Sequence, residues 1–249
     1  MVDSPHILWK PRSESPILSV DAIHIWCASL QRSVSEVEQL AASLSKDERD
    51  RASRFHFPHH QRRFIVARGL LRHLLADYLA VSPKEIEFSY LQRGKPELAG
   101  DRHLQFNLSH SEELVVYAFC LSHPVGIDVE YLRSTPDLEP IAARFFTKWE
   151  YDELRSLPPA ERTSAFFRCW TRKEAYLKAC GDGIGGGLDQ IEVSLTPEAQ
   201  IRQIHNSVLT DRDWDLQNLA PAVGYVGAIA AQASNLHLHC WHLHSNSSC

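Results

Sequence analysis

The succession strand, helices, long helix, strands runs twice through this 249-residue chain, the two copies lying about one hundred residues apart. Residues 1–16 are rich in Pro and Ser and predict an extended arm. In the first copy, apolar residues alternate with Ser, Asp and His from Ile17 to Trp26, the pattern of a half-buried strand. Helical spacing follows over residues 34–44, and Ser45 with Glu48 predicts a capped helix start. A long helix is expected from about His60 to Ala80, with Phe64, Ala67, Leu71, Leu74, Leu75 and Tyr78 on one side, until Ser82-Pro83 stops it. Strands are expected around 86–90, 104–109 and 114–121. The second copy opens with a strand at Val125–Tyr131 and a helical stretch over 137–157. Its long helix runs from about Pro159 to Ala179 and is ended by the Gly-rich segment Gly181–Gly187. Strands are then expected near 190–195, 214–219, 223–231 and 236–243. The halves share little identity, so the repeat is one of pattern, and it predicts an α+β chain divided at about residue 122, into 1–122 and 123–249.

A net charge of −5 argues against general nucleic-acid binding. No run approaches the roughly 18 apolar residues that a membrane helix needs. Asp3, Lys10, Arg12 and Glu14 interrupt the N-terminus in a way that does not fit a secretory signal. The six cysteines are scattered without a C-x-x-C pair, which predicts reduced thiols in a cytoplasmic protein.

Asp128 and Glu130 lie two apart on an expected strand, so their side chains leave the same face. Glu174 falls within about one third of the long helix's circumference together with Phe166, Phe167, Trp170 and Leu177, an apolar stripe. A carboxylate there costs several kcal/mol unless it is neutralised. Lys178, at i+4, is one candidate partner, in an ordinary helical ion pair. Three converging carboxylates would repel one another, and a hard dication would relieve them; oxygen-only ligands favour magnesium over zinc. Spacing alone leaves both accounts open, since strands often end in acidic residues and helices often carry Glu–Lys pairs.

Gly126-Ile127-Asp128-Val129-Glu130 and Trp170-Thr171-Arg172-Lys173-Glu174-Ala175-Tyr176-Leu177-Lys178 resemble, in order and separation, the two signature motifs of the Sfp-type phosphopantetheinyl transferases. Gly94-Lys95-Pro96, Phe106-Asn107-Leu108-Ser109-His110-Ser111, and Phe145-Phe146-Thr147 followed by Glu150 agree with that family. The resemblance covers about residues 45 to 188. It implies two similar halves with pseudo-twofold symmetry, each a small antiparallel sheet packed on a long helix, with the active site between them. It also implies that Asp128, Glu130 and Glu174 hold magnesium, which bridges the pyrophosphate of coenzyme A, the co-substrate. Lys178 would contact the same phosphates, with His110, Ser109 and Lys95 close by. Glu174 is the implied base for a serine of an apo acyl or peptidyl carrier protein, the partner, and 3′,5′-ADP is the other product. The length is that of the monomeric members.

Arg49, Arg51, Arg54, Arg62, Arg63, Arg68 and Arg72 form a basic stretch in an otherwise acidic chain, and guanidinium groups suit phosphate. In the family this region receives the nucleotide end of coenzyme A; Arg51, Arg54 and Arg63 are the candidates, while Arg68 and Arg72 read as a solvated helix face. Gly181-Asp182-Gly183-Ile184-Gly185-Gly186 fits the dinucleotide fingerprint but follows a helix, so it reads as a helix end and loop. Ser109 and His110 are adjacent on a strand, point to opposite faces and cannot pair as a hydrolase couple. His237, His239, His242 and His244, with Cys240 and Cys249, read as an edge strand with metal capture as the alternative. Two other functions compete: a coenzyme A or nucleotide binding protein without catalysis, which would not need the carboxylates, and a metal-dependent phosphatase or nuclease.

Overall fold

Alternation along the strands decides the architecture. The computed structural model describes residues 8–11, 17–91, 94–100, 103–181, 187–205, 213–233 and 236–243. Its strands in chain order are β1 (Trp9–Pro11), β2 (Ala22–Ser29), β3 (Phe88–Tyr90), β4 (Pro96–Leu98), β5 (Leu104–Ser111), β6 (Leu114–Leu121), β7 (Val125–Tyr131), β8 (Ile191–Val193), β9 (Ile201–Ile204), β10 (Asp215–Leu219), β11 (Tyr225–Ala231) and β12 (His237–Leu243). The helices are α1 (Val34–Ala41), α2 (Lys46–Ser53), α3 (Pro58–Leu79), α4 (Leu138–Phe145), α5 (Lys148–Ser156) and α6 (Pro159–Cys180). The loop 182–186, and His244 and Cys249 of the tail, lie outside the described residues.

One sheet has the order β1-β12-β2-β6-β5 and another the order β10-β11-β7. On β6, Val115, Tyr117 and Phe119 join a core with Leu71 and Leu75 of α3, while Val116, Ala118 and Cys120 join a second core with Ile127 of β7 and Ile229 of β11. A third core lies between Ala228 and Ala230 of β11 and Ala175 and Leu177 of α6. The layers are therefore helix, sheet, sheet, helix, and strands facing apolar layers on both sides read as nearly continuous apolar runs. Both long helices have Pro in the first turn and end on a left-handed residue, Ala80 (φ 53°) and Gly181 (φ 80°).

The chain is α+β, as expected, but its last strand departs from the expected halves. β12 is no edge strand: it lies between β1 and β2, parallel to both, so the larger sheet is mixed rather than antiparallel. Burial explains the placement, because Cys240 and Leu238 pack against the inter-sheet core while Trp241 and Leu243 pack on the α3 side. Of the expected N-terminal arm, Trp9–Pro11 is strand β1.

Candidate active site

The second sheet ends in β7 and the first in β5, and these two edges meet beneath α6. Val125, Ile127 and Val129 turn into the inter-sheet core, which leaves Gly126, Asp128 and Glu130 on the α6 side. A Cβ at Gly126 would stand 2.1 Å from the carbonyl oxygen of Ala175 and 2.3 Å from the amide nitrogen of Ala179. Only glycine permits that approach of strand to helix backbone. Two residues further on, Asp128 meets Lys178. The ammonium donates to Asp128 Oδ1 (2.6 Å), Ser109 Oγ (2.9 Å) and the Ile127 carbonyl (3.3 Å), and Ser109 in turn donates to Asp128 Oδ1 (2.8 Å). Lys178 is thus the partner of Asp128 across the helix–strand contact, not the i+4 partner of Glu174 that helical spacing offered.

Glu174 is buried, and among the described residues neither its Oε1 nor Asp128 Oδ2 has a hydrogen-bond partner. Burial, then the charge of Asp128, lifts the Glu174 carboxyl to about 7, against the pull of Lys178 and with a further push from Glu130. Glu130 is also raised, by burial first, while the hydroxyl of Ser111 opposes the shift by donating to Oε2 at 2.7 Å. Among the described residues no group of three or more Asp, Glu, His or Cys side chains is arranged to hold a metal ion. The donor chemistry nevertheless fits a hard cation: two buried carboxylate oxygens unserved by any donor, in a set made of oxygen ligands alone. Magnesium often takes only one or two protein carboxylates and completes its shell with water and substrate phosphate.

The other expected site residues stand as follows. Lys95 donates to the Lys178 carbonyl at 2.7 Å, tying the β4 segment to the end of α6, and burial lowers its ammonium's pKa. His110 lies on the opposite face of β5 from Ser109; crowding by the protein, then the charge of Lys178, holds its imidazole below the ordinary value. Arg63 pairs with Glu113 (Nε–Oε1 3.1 Å) and Glu112, and lines a cleft with Leu30, Gln31, His59 and Arg62. Arg51 and Arg54 sit exposed on the C-terminal end of α2, with the Arg51 guanidinium 5.4 Å from the Phe64 ring.

Arg68 and Arg72 are not a solvated face. Both are buried around Glu48, Arg72 at 2.6 Å and Arg68 at 3.4 Å, and Arg72 also donates to the Pro83 and Ile86 carbonyls. Glu48 is only 1% exposed under α3 and needs cationic partners there. Glu150 and Lys173 form another buried ion pair, in which Glu150 also accepts the Thr147 and Val193 amides at 2.8 Å each. The pair locks α5 to α6.

Sequence reasoning missed the roles of Asn107 and Ser111. Asn107 Oδ1 accepts the Ile127 amide (2.9 Å), and Ser111 Oγ accepts the Tyr131 amide (3.1 Å) while donating to Glu130. The available signal was small polar residues at 107, 109 and 111, alternating with Phe106 and Leu108.

A family model described as the 4'-phosphopantetheinyl transferase superfamily matches residues 124–230, and one described as 4'-phosphopantetheinyl transferase, N-terminal, matches 29–122. The chain is 45% identical over 238 residues to the 4'-phosphopantetheinyl transferase HetI of Nostoc sp., covering 94% of this chain and 98% of that protein. It is 32% identical over 169 residues to the 4'-phosphopantetheinyl transferase Sfp of Bacillus subtilis (68% of this chain, 74% of that one). With psf-1 of Bacillus pumilus the identity is 37% over 165 residues, 66% and 70% of the two chains.

Proposed function

This chain belongs to the Sfp-type 4'-phosphopantetheinyl transferases, which are transferase enzymes, and on that premise we propose that it moves the phosphopantetheine arm of coenzyme A onto a serine of an apo carrier protein in a magnesium-dependent reaction. The observation that carries the reading is the buried pair of unserved oxygens, Asp128 Oδ2 and Glu174 Oε1, beside the Lys178 ammonium. Asp128, Glu130 and Glu174 would hold magnesium. When bound, that ion supplies neutralising charge at the pyrophosphate.

Glu174 takes the serine proton, directly or through a bound water. The serine oxygen then bonds to the β-phosphorus, the bond from that phosphorus to the bridging oxygen breaks, and its electron pair leaves with 3′,5′-ADP. Lys178 offsets the charge that develops there. Ser109, His110, Lys95, Arg51, Arg54 and Arg63 receive the nucleotide end; Lys95 and Arg63 already have protein acceptors, so they must share or release them on binding.

The finer organisation belongs to the same proposal. Residues 1–122 bind the nucleotide and 123–249 carry the magnesium and catalytic residues, related by an approximate twofold axis that exchanges α3 and α6, each of 22 residues. The protein acts in the cytoplasm as a monomer and binds no nucleic acid. No described helix is long and apolar enough to cross a membrane.

The test is intact-mass spectrometry of apo carrier domains incubated with the enzyme, coenzyme A and magnesium. A gain equal to one phosphopantetheine arm is expected, and it should vanish with EDTA or in Glu174→Ala. No gain across fatty-acid, polyketide and peptide-synthesis carriers, despite coenzyme A binding, would leave a coenzyme A binding protein instead.

A further inference from the structure

We propose that Ser111 is a positioning residue that sets the carboxylate of Glu130 for the metal, an inference that rests on the reading of Glu130 given above. Ser111 closes β5, and its side chain reaches the neighbouring edge strand β7, where no backbone ladder joins the two. A serine hydroxyl has one proton and lone pairs to accept with. Here the oxygen accepts the Tyr131 amide at 3.1 Å, and the proton goes to Glu130 Oε2 at 2.7 Å. Because one acceptor position is tied to a strand amide, the directions in which the hydroxyl can donate are narrowed. The bond therefore does more than satisfy Glu130, since it selects one orientation of a side chain that has several rotatable bonds. Ser111 is 7% exposed, too enclosed for a freely exchanging water to take over the task.

The register that makes this possible is fixed four residues earlier on both strands, where Asn107 Oδ1 holds the Ile127 amide at 2.9 Å. Ser109 is engaged with Asp128 and Lys178 in the same way. The polar face of β5 thus works as a rail for the carboxylates of β7, and Ser111 is the member whose one side-chain partner among the described residues is Glu130. Partners of this kind, one bond removed from a metal, change metal affinity by about 10–100-fold when they are lost.

A purely structural stitch between the two strands would behave differently. Its loss would lower stability and leave metal affinity unmoved.

The experiment measures Mn²⁺ binding by electron paramagnetic resonance, in the presence of coenzyme A, on full-length wild type, Ser111→Ala, Ser111→Thr, Ser111→Cys and Glu130→Ala, with thermal midpoints alongside. Ser111→Ala should weaken Mn²⁺ binding at least about 10-fold. It should raise the metal concentration needed for half-maximal transfer by a similar factor, with kcat at saturating metal nearly unchanged. Thr keeps the hydroxyl and should restore affinity to within a few-fold, whereas Cys, a weak donor of similar size, should not. Wild-type affinity in Ser111→Ala, whatever its midpoint, would overturn the proposal; if that variant does not fold, equal affinities in the Thr and Cys variants overturn it instead. Wild-type affinity in Glu130→Ala would strike the reading of Glu130 as a ligand. Loss in Glu130→Ala with none in Ser111→Ala would remove only the role of Ser111.

Discussion

Glu174 and Glu150 are both buried carboxylates within one layer of the molecule, and their surroundings set them opposite tasks. Glu150 has the Lys173 ammonium and two backbone amides, so its charge is part of what holds α5 to α6. Glu174 has one oxygen without a donor among the described residues and Asp128 for a neighbour, and it is held up to about 7. A carboxyl whose folded pKa lies above its unfolded value favours folding below the unfolded value, near 4.5, and loses that contribution as pH rises through about 7. Metal-free Glu174→Gln is therefore expected to be more stable than wild type at pH 8, by on the order of 2 kcal/mol, and to show little difference at pH 4. Urea titrations at the two pH values check this, and an equal or lower midpoint at pH 8 would show that the carboxylate is not strained. At this scale what was legible is that Asp128, Glu130 and Glu174 converge, close enough for the charges of the first two to act on the third. The sequence was misleading for Arg68 and Arg72, because their partner Glu48 stands 24 residues away from Arg72 and the pairing exists only once α2 lies on α3.

Elements were legible in proportion to their period. β6 and β7 occupy the spans that alternation and apolar runs gave, and α6 ends one residue beyond its expected limit, where Gly181 turns left-handed. β1, β4 and β9 are three or four residues long and too short to show a period. What no pattern gives is the distance between two elements, and the contact of β7 with α6 turns on Gly126. Its substitution by Ala would set a methyl group 2.1 Å from one backbone atom and 2.3 Å from another, and backbone inside a buried helix does not swing aside as a side-chain end does. Overpacking typically costs about 1–3 kcal/mol, and a clash with backbone belongs at the upper end. Gly126→Ala is expected to lower the thermal midpoint sharply, and in whatever protein remains folded, to separate Asp128 from Lys178 and weaken coenzyme A binding. A variant with the wild-type midpoint and affinity would mean that the strand and helix tolerate a wider spacing.

The whole molecule is closed by β12, which the sequence marked as a strand but misplaced at a sheet edge. It inserts beside β2 with His239 opposite His24, and there it stacks Trp241 on Trp26 with ring centroids 4.8 Å apart. His24 faces Phe119 on β6, Tyr78 on α3, and His239 and Trp241 on β12. Trp26 donates to the Tyr78 oxygen at 2.9 Å, and His24 Nδ1 shares a hydrogen bond with the same hydroxyl at 2.9 Å. Burial, then the positive charge of His239, lowers His24 to about 4. The unfolded chain, with a histidine near 6.5, takes up the proton first as pH falls. The stability that neutral His24 preserves is present above 6.5 and is lost as pH falls from there toward 4, a loss on the order of 3 kcal/mol for one such group. Because β2, β12 and α3 all meet at this ring, the loss should loosen the closing strand and not only the site itself. Urea midpoints followed from pH 7 to pH 4.5 should fall more steeply in wild type than in His24→Gln, which has no proton to gain. Hydrogen exchange of the β12 amides should quicken over the same interval. Parallel slopes in the two proteins would place the acid sensitivity at groups other than His24.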